Sequence, residues 1–198
     1  MSIVGILLAA GSASRFGSDK LLHPLPHGVP IAAQAARHLR IEIERVIVPV
    51  RPGSDALARV LRAEGCEVVV CANAAQGMGA SLACAVAVAA AHAGQGQVDG
   101  YVVALADMPF IRSSTIAAVR DALAAGAPLV APYFRARRGH PMGLAARFRG
   151  ELEGLAADEG ARRLVSAHEA ELLKIPVGDP GVLRDIDTPS DLAPPLVV

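Results

Sequence analysis

The chain is predicted to adopt an α/β fold around a largely parallel sheet. Three observations carry this expectation: short apolar, β-branched runs, Ala-rich segments of helical length, and a regular alternation between the two. The strand-like runs fall at residues 3–9, 45–50, 67–72, 101–106 and 129–132, with a weaker one at 171–175. Helices are expected between them at 31–39, 54–63, 80–93, 114–125 and 160–170. The helix after the fourth strand shows the logic. Ser113 or Ser114 can cap it, Ile116, Val119 and Leu123 share one face, and Gly126 with Pro128 ends it. In open parallel sheets ligands bind beyond the carboxyl ends of the strands, so the loops after Ala9, Ala72 and Ala106 are the places where function is expected.

At 198 residues, with no internal repeat and no Gly/Pro/Ser-rich linker, residues 1–198 are expected to form a single domain. Hydrophobic residues make up 53% and charged residues 19%, which excludes disorder from poor apolar content. A net charge of +0 offers no field toward nucleic acid or an anionic membrane, and 3% aromatic content without Trp leaves little for base stacking. Neither partner is expected. The apolar start, residues 1–8, lacks a cationic lead and reads as a strand rather than a signal peptide. The Ala-rich stretch 80–93 is shorter than the ~20 residues that span a bilayer. Cys66, Cys71 and Cys84 form neither an even set nor a CxxC pair, so they are expected to be free, buried residues in a reducing, cytoplasmic setting.

The first strand runs into Gly11-Ser12-Ala13-Ser14-Arg15-Phe16-Gly17-Ser18-Asp19-Lys20. Small residues let backbone N–H groups approach phosphate oxygens, Arg15 can fork onto them, and Lys20 can place a point charge beside them. Lys20 is one of only two lysines, the other being Lys174. Neither the Walker pattern nor the dinucleotide fingerprint fits, and an ordinary polar turn stands as the competing reading. Asp107, before Met108-Pro109, can bind a metal or start a turn. Asp187, before Thr188-Pro189, can bind a metal, or it or Asp185 can cap a short helix. Residues 76–82 read either as a glycine loop around a nucleobase or as a plain turn with Ser81 capping. His140 lies in a turn beside Arg135, Arg137 and Arg138, which can attract an anionic phosphate or form a solvated hairpin. The remaining histidines are too scattered for zinc.

Residues 8–22, Leu8-Ala9-Ala10-Gly11-Ser12-Ala13-Ser14-Arg15-Phe16-Gly17-Ser18-Asp19-Lys20-Leu21-Leu22, resemble the LAAGxSxRMGxxKLL signature of the MobA-like nucleotidyltransferases. The closest branch is the molybdenum cofactor cytidylyltransferases (MocA-type). Phe16 replaces the usual Met. Companion motifs follow in order: Gly28-Val29-Pro30-Ile31, Gln76-Gly77-Met78-Gly79-Ala80-Ser81-Leu82, Ala106-Asp107-Met108-Pro109, Gly139-His140-Pro141, Asp158-Glu159-Gly160-Ala161-Arg162, and residues 185–192. Ala157 stands where the family commonly has Gly.

The resemblance implies a Rossmann-like three-layer fold of the nucleotide-diphospho-sugar transferase type. It also implies Mg²⁺-dependent transfer of a nucleotidyl group from a nucleoside triphosphate to a phosphate, with release of pyrophosphate. Arg15, Lys20 and Asp107 would be catalytic. Leu8, Ala9, Ala10, Gly11, Ser12, Arg15, Lys20, Gly77, Met78, Gly79 and Ser81 would bind nucleotide, Asp107 and Asp187 would hold Mg²⁺, and His140, Asp158 and Arg162 would meet the acceptor. Ala10 resembles the CTP-using branch, with molybdopterin as acceptor and a molybdoenzyme or its chaperone as recipient. Alternatives are a GTP-using or other-acceptor transferase, or a non-catalytic carrier. Two aspartates sharing a metal repel one another without it, so replacing either is expected to keep or raise the melting temperature of the metal-free protein.

Overall fold

The computed structural model describes residues 1–9, 20–91, 97–156 and 161–192. Among these, eight strands form one sheet: β1 (Ser2–Leu8), β2 (Arg45–Val50), β3 (Glu67–Val70), β4 (Val98–Leu105), β5 (Leu129–Phe134), β6 (Arg137–Arg138), β7 (Met142–Ala145) and β8 (Leu172–Pro176). Their order is β3-β2-β1-β4-β7-β5-β6, with β8 beside β5. The pairings of β1 with β2 and β4, β2 with β3, and β5 with β8 are parallel. Those of β7 with β4 and β5, and the β5–β6 hairpin, are antiparallel.

The helices α1 (Ile31–Glu42), α2 (Asp55–Ala63), α3 (Met78–Ala91), α4 (Ser113–Ala124), α5 (Arg149–Glu153) and α6 (Arg162–Ala167) cover both faces of the sheet. Because successive strand side chains point to opposite faces, each strand feeds two cores. Val4, Ile6 and Leu8 of β1 join Tyr101, Val103, Leu82 and Leu164 in one cluster. Leu7 joins Val102, Ala104, Leu39, Leu61 and Val119 in the other. Gly5 lets α1 approach closely, since a Cβ there would lie 3.0 Å from Val46 Cγ2 and 3.3 Å from Leu39 Cδ2. The result is the expected three-layer, Rossmann-like arrangement.

Several boundaries differ from the sequence reading. The α4 cap position is Arg112, without a side-chain hydrogen bond, so neither Ser113 nor Ser114 caps that helix. The helix expected at 160–170 shortens to α6, followed by a 3₁₀ turn at Glu169–Glu171. Strands β6 and β7 and helix α5 were not predicted. Two to five residues are too few for a hydrophobic period to register, and the β5–β6 turn uses Arg135 and Ala136 at φ of 48° and 62° without glycine.

The cysteine expectation is overturned. Cys71 and Cys84 form a disulfide with Cα atoms 6.3 Å apart, and Cys66 alone is a free cysteine, buried, with its thiol pushed up to about 11 chiefly by burial. Cys71 directly follows β3 and Cys84 lies inside α3, so the strand-to-helix turn brings together residues whose spacing shows no pairing. The ground for expecting a reducing setting falls with it. Among the described residues no helix is long and apolar enough to cross a membrane.

Candidate nucleotide and metal site

The register of β1 against β4 places Leu8 opposite Leu105, and the Ala106 amide donates to the Leu8 carbonyl at 3.0 Å. The loops after both strands therefore leave the sheet at one level, at the carboxyl edge where ligands bind. Leu8 and Ala9 reach this edge. Ala10, Gly11, Ser12 and Arg15 lie outside the described residues, as does Asp158.

Lys20 begins a 3₁₀ turn, Lys20–Leu22, anchored by buried Leu21. Its Nζ donates to Asp107 Oδ2 at 3.0 Å and to Asp187 Oδ1 at 3.3 Å, and the residue is only 8% exposed. Desolvation acts against the ammonium charge. The field and hydrogen bond of Asp107, then those of Asp187, outweigh it and hold the Lys20 pKa above the ordinary lysine value. Sequence reasoning assigned Lys20 to the triphosphate; here it bridges the two carboxylates assigned to the metal.

Asp107 and Asp187, eighty positions apart, are brought together by backbone packing. The Ile186 amide donates to the Asp107 carbonyl at 2.9 Å. The preceding turn, Pro180–Leu183, packs so tightly on the loop after β4 that a Cβ at Gly181 would lie 2.2 Å from the Phe110 carbonyl oxygen. On its other side the His140 amide donates to the Val182 carbonyl at 2.9 Å, and a Cβ at Gly139 would lie 2.5 Å from that same oxygen. Buried Asp179 pins this turn by accepting from the Arg112 amide, Thr115 Oγ1 and the Gly181 amide.

Asp179 went unnoticed in the sequence, although Asp before Pro-Gly is a turn signal. Asp191 was missed as well: its Oδ2 accepts from the Asp187 and Thr188 amides and from Thr188 Oγ1. The Thr188 side chain and amide hold the Asp191 carboxyl below the usual range. Asp191 thus takes the local bonding role considered for Asp185 or Asp187, and the Asp187 carboxylate faces Lys20.

Two carboxylates converging on one point form an oxygen donor set of the kind a divalent ion prefers, and the cation between them is the Lys20 ammonium. Among the described residues no group of three or more His, Cys, Asp or Glu side chains could hold a metal. An ion at Asp107 and Asp187 would therefore need its other ligands from substrate phosphate or water.

A cavity of about 430 Å³ opens at the same edge, lined by Leu8, Met78, Leu82, Met142, Arg138, His140 and Arg162 among others. It joins residues assigned to nucleotide with residues assigned to acceptor. Gly77 has φ of +128°, a backbone form natural only to glycine, and its carbonyl accepts from both the Ser81 amide and Ser81 Oγ at 3.2 Å. Fully buried Ser81 braces this loop from within, and Gly79 is buried too, whereas Met78 is exposed. His140 is half-buried, and its Nδ1 is enclosed without a hydrogen-bond partner among the described residues. Burial first, then the Arg138 charge, lower its pKa to about 4, so the ring is neutral near pH 7. Arg137 and Arg138 are exposed in the β5–β6 hairpin, the arrangement weighed against phosphate attraction; Arg138 also lines the cavity.

Residues 5–172 match the MobA-like NTP transferase domain. Over 121 residues the chain is 38% identical to the bifunctional protein GlmU of Cereibacter sphaeroides, a match covering 59% of this chain. It spans only 25% of that relative's length. The purine catabolism protein PucB of Bacillus subtilis is 28% identical, with 96% of this chain and 93% of that protein covered. Among solved structures, Rv0371c of Mycobacterium tuberculosis H37Rv is 26% identical, with a TM-score of 0.81 over 96% of this chain and 94% of that one. Its complex with manganese superposes with a TM-score of 0.76 at 25% identity, over 96% of each chain.

Proposed function

The chain belongs to the MobA-like NTP transferase family and is a nucleotidyltransferase, and from that premise we propose that it transfers CMP from CTP to the phosphate of molybdopterin or its molybdenum form, releasing pyrophosphate. The observation that carries the site assignment is the Lys20 ammonium held between Asp107 and Asp187 at the carboxyl edge of the sheet. The LAAG form of the first loop favours CTP, and the run of MocA-type motifs favours the molybdopterin acceptor. The reading extends to a single domain, with a molybdoenzyme or its chaperone as recipient.

In this reading Asp107 and Asp187 hold Mg²⁺ together with substrate phosphates. When bound there, the ion would supply neutralisation of the charge that develops as pyrophosphate leaves. Arg15 and Lys20 bind the triphosphate, with residues 8–12 supplying backbone N–H groups to it. The loop Gly77–Met78–Gly79 meets the nucleoside, and Ser81 holds that loop in shape. His140, Arg138 and Arg162 receive the acceptor across the cavity, Asp158 joins them, and the apolar floor of Leu8, Leu82 and Met142 excludes water. No activated serine or cysteine is required. An acceptor phosphate is already a nucleophile, so catalysis consists of placing it in line with the α-phosphate and stabilising charge.

The test is a panel of the four NTPs with Mg²⁺ and purified molybdopterin, read by pyrophosphate release and product mass. CTP is expected to turn over fastest and to give a cytidylylated product. Faster turnover with GTP would move the chain to the guanylyl-transferring reading, and turnover only with another phosphorylated acceptor would replace molybdopterin.

A further inference from the structure

The Lys20 ammonium and a divalent ion compete for the same place between Asp107 and Asp187, and the geometry shows which cation holds it without ligand. Lys20 Nζ lies 3.0 Å from Asp107 and 3.3 Å from Asp187, in the position a shared cation needs. The backbone of Lys20 is fixed, because Leu21 is buried in the core and the His23 amide donates to the Lys20 carbonyl at 3.1 Å. Movement is therefore left to the four-carbon side chain, a flexible stem ending in a compact charge.

Resting on the metal assignment above, we propose that Lys20 is the resident counter-cation of the metal site, displaced from Asp107 and Asp187 by the incoming divalent ion and transferred to the triphosphate that accompanies it. With Lys20 in place the two carboxylates carry one uncompensated negative charge, and a bare divalent ion must evict an ion-paired ammonium without bringing it a new partner. An ion arriving with a nucleotide brings phosphate oxygens that give the ammonium a new partner. Metal and nucleotide thus assist each other's binding, and the coupling is reciprocal. The same charge exchange leaves the site partly neutralised before substrate arrives, without a movement of the fold.

The experiment is a titration of Mn²⁺ alone, without nucleotide, on the wild type, Lys20→Met, Lys20→Gln, Asp107→Asn and Asp187→Asn proteins, each checked for a cooperative melt. Removing the resident charge is expected to tighten Mn²⁺ binding about tenfold or more in both Lys20 variants, and each Asp variant is expected to lose it. Equal or weaker Mn²⁺ binding by the folded Lys20 variants, with the Asp variants still defective, overturns the displacement while leaving the metal site standing. Wild-type affinity in both Asp variants removes the metal site and the proposal with it.

A second measurement needs no variant to fold. With only two lysines, isotope-labelled wild type gives two lysine Cε signals. Mg²⁺ with a non-hydrolysable CTP analogue is expected to move the Lys20 signal and leave that of Lys174 in place. A Lys20 signal that stays put at saturation overturns the proposal.

Discussion

The Ile186 amide donates to the Asp107 carbonyl at 2.9 Å, and this bond carries Asp187, the next residue, to the edge where Asp107 leaves the sheet. Both carboxylates then reach the same ammonium, that of Lys20. Repulsion between two bare aspartates, the expectation from sequence, is therefore replaced by a bridged triad.

That bridge reverses the expected sign of one mutational effect. Asp107→Asn removes the closer and less exposed partner, 26% exposed, and should lower the stability of the metal-free protein by about 1 to 2 kcal/mol. Asp187, at 56% exposure, is more strongly screened, and its Asn variant should lose under about 1 kcal/mol. Both should lose most turnover. Urea denaturation beside a pyrophosphate assay checks this; an unchanged or raised midpoint for Asp107→Asn would contradict the bridged arrangement.

Gly181→Ala should damage the site without touching a ligand. Its Cβ would press to 2.2 Å against the Phe110 carbonyl, a backbone atom that cannot swing away. Moving the turn at Pro180–Leu183 also moves Asp187. A loss of roughly 3 kcal/mol or more, and of Mn²⁺ affinity, is expected, since overpacking against backbone is among the costliest substitutions. Wild-type stability and metal binding together would show that the close approach is dispensable.

His140 gives a pH dependence with a definite sign. Its folded pKa, about 4, lies below the ordinary value of 6.5, so the folded chain disfavours a proton that the unfolded chain accepts. The contribution is undiminished above pH 6.5 and is lost as pH falls from there to about 4. By pH 5 the loss is on the order of 2 kcal/mol for a shift of this size. His140→Gln removes this titration, so the stability gap between wild type and variant should change in the variant's favour between pH 7 and pH 5. A gap independent of pH would mean that His140 is not held neutral by burial.

The Cys71–Cys84 bond encloses the turn that carries Gly77 and the start of α3. A link closing a loop of this length stabilises by about 3 kcal/mol in the chain-entropy account. Dithiothreitol, or Cys71→Ser with Cys84→Ser, should lower the melting temperature and weaken NTP binding more than it alters the rest of the fold. Denatured, unreduced protein should show one reactive thiol, Cys66, and reduced protein three. Three thiols without reductant would mean that the pair stays open.

The alternation of apolar strands and Ala-rich helices determined the class of fold, because periodicity and propensity are local properties read within a few residues. Lys20, Asp107, Asp187 and the glycines at 77 and 79 stood out as candidates for a related reason, since small and charged residues in loops contrast with apolar runs, whereas Leu8 entered only through the family resemblance. Only the tertiary structure decided who meets whom. Nothing in the local sequence of Lys20 indicates that it lies between two aspartates 87 and 167 positions away. The same holds for Cys71 with Cys84, for the packing of Gly181 on Phe110, and for the enclosure of His140. These pairings follow from register, from backbone carbonyls accepting distant amides, and from the space left when helices settle on a twisted sheet. Such quantities exist only once the chain has closed on itself.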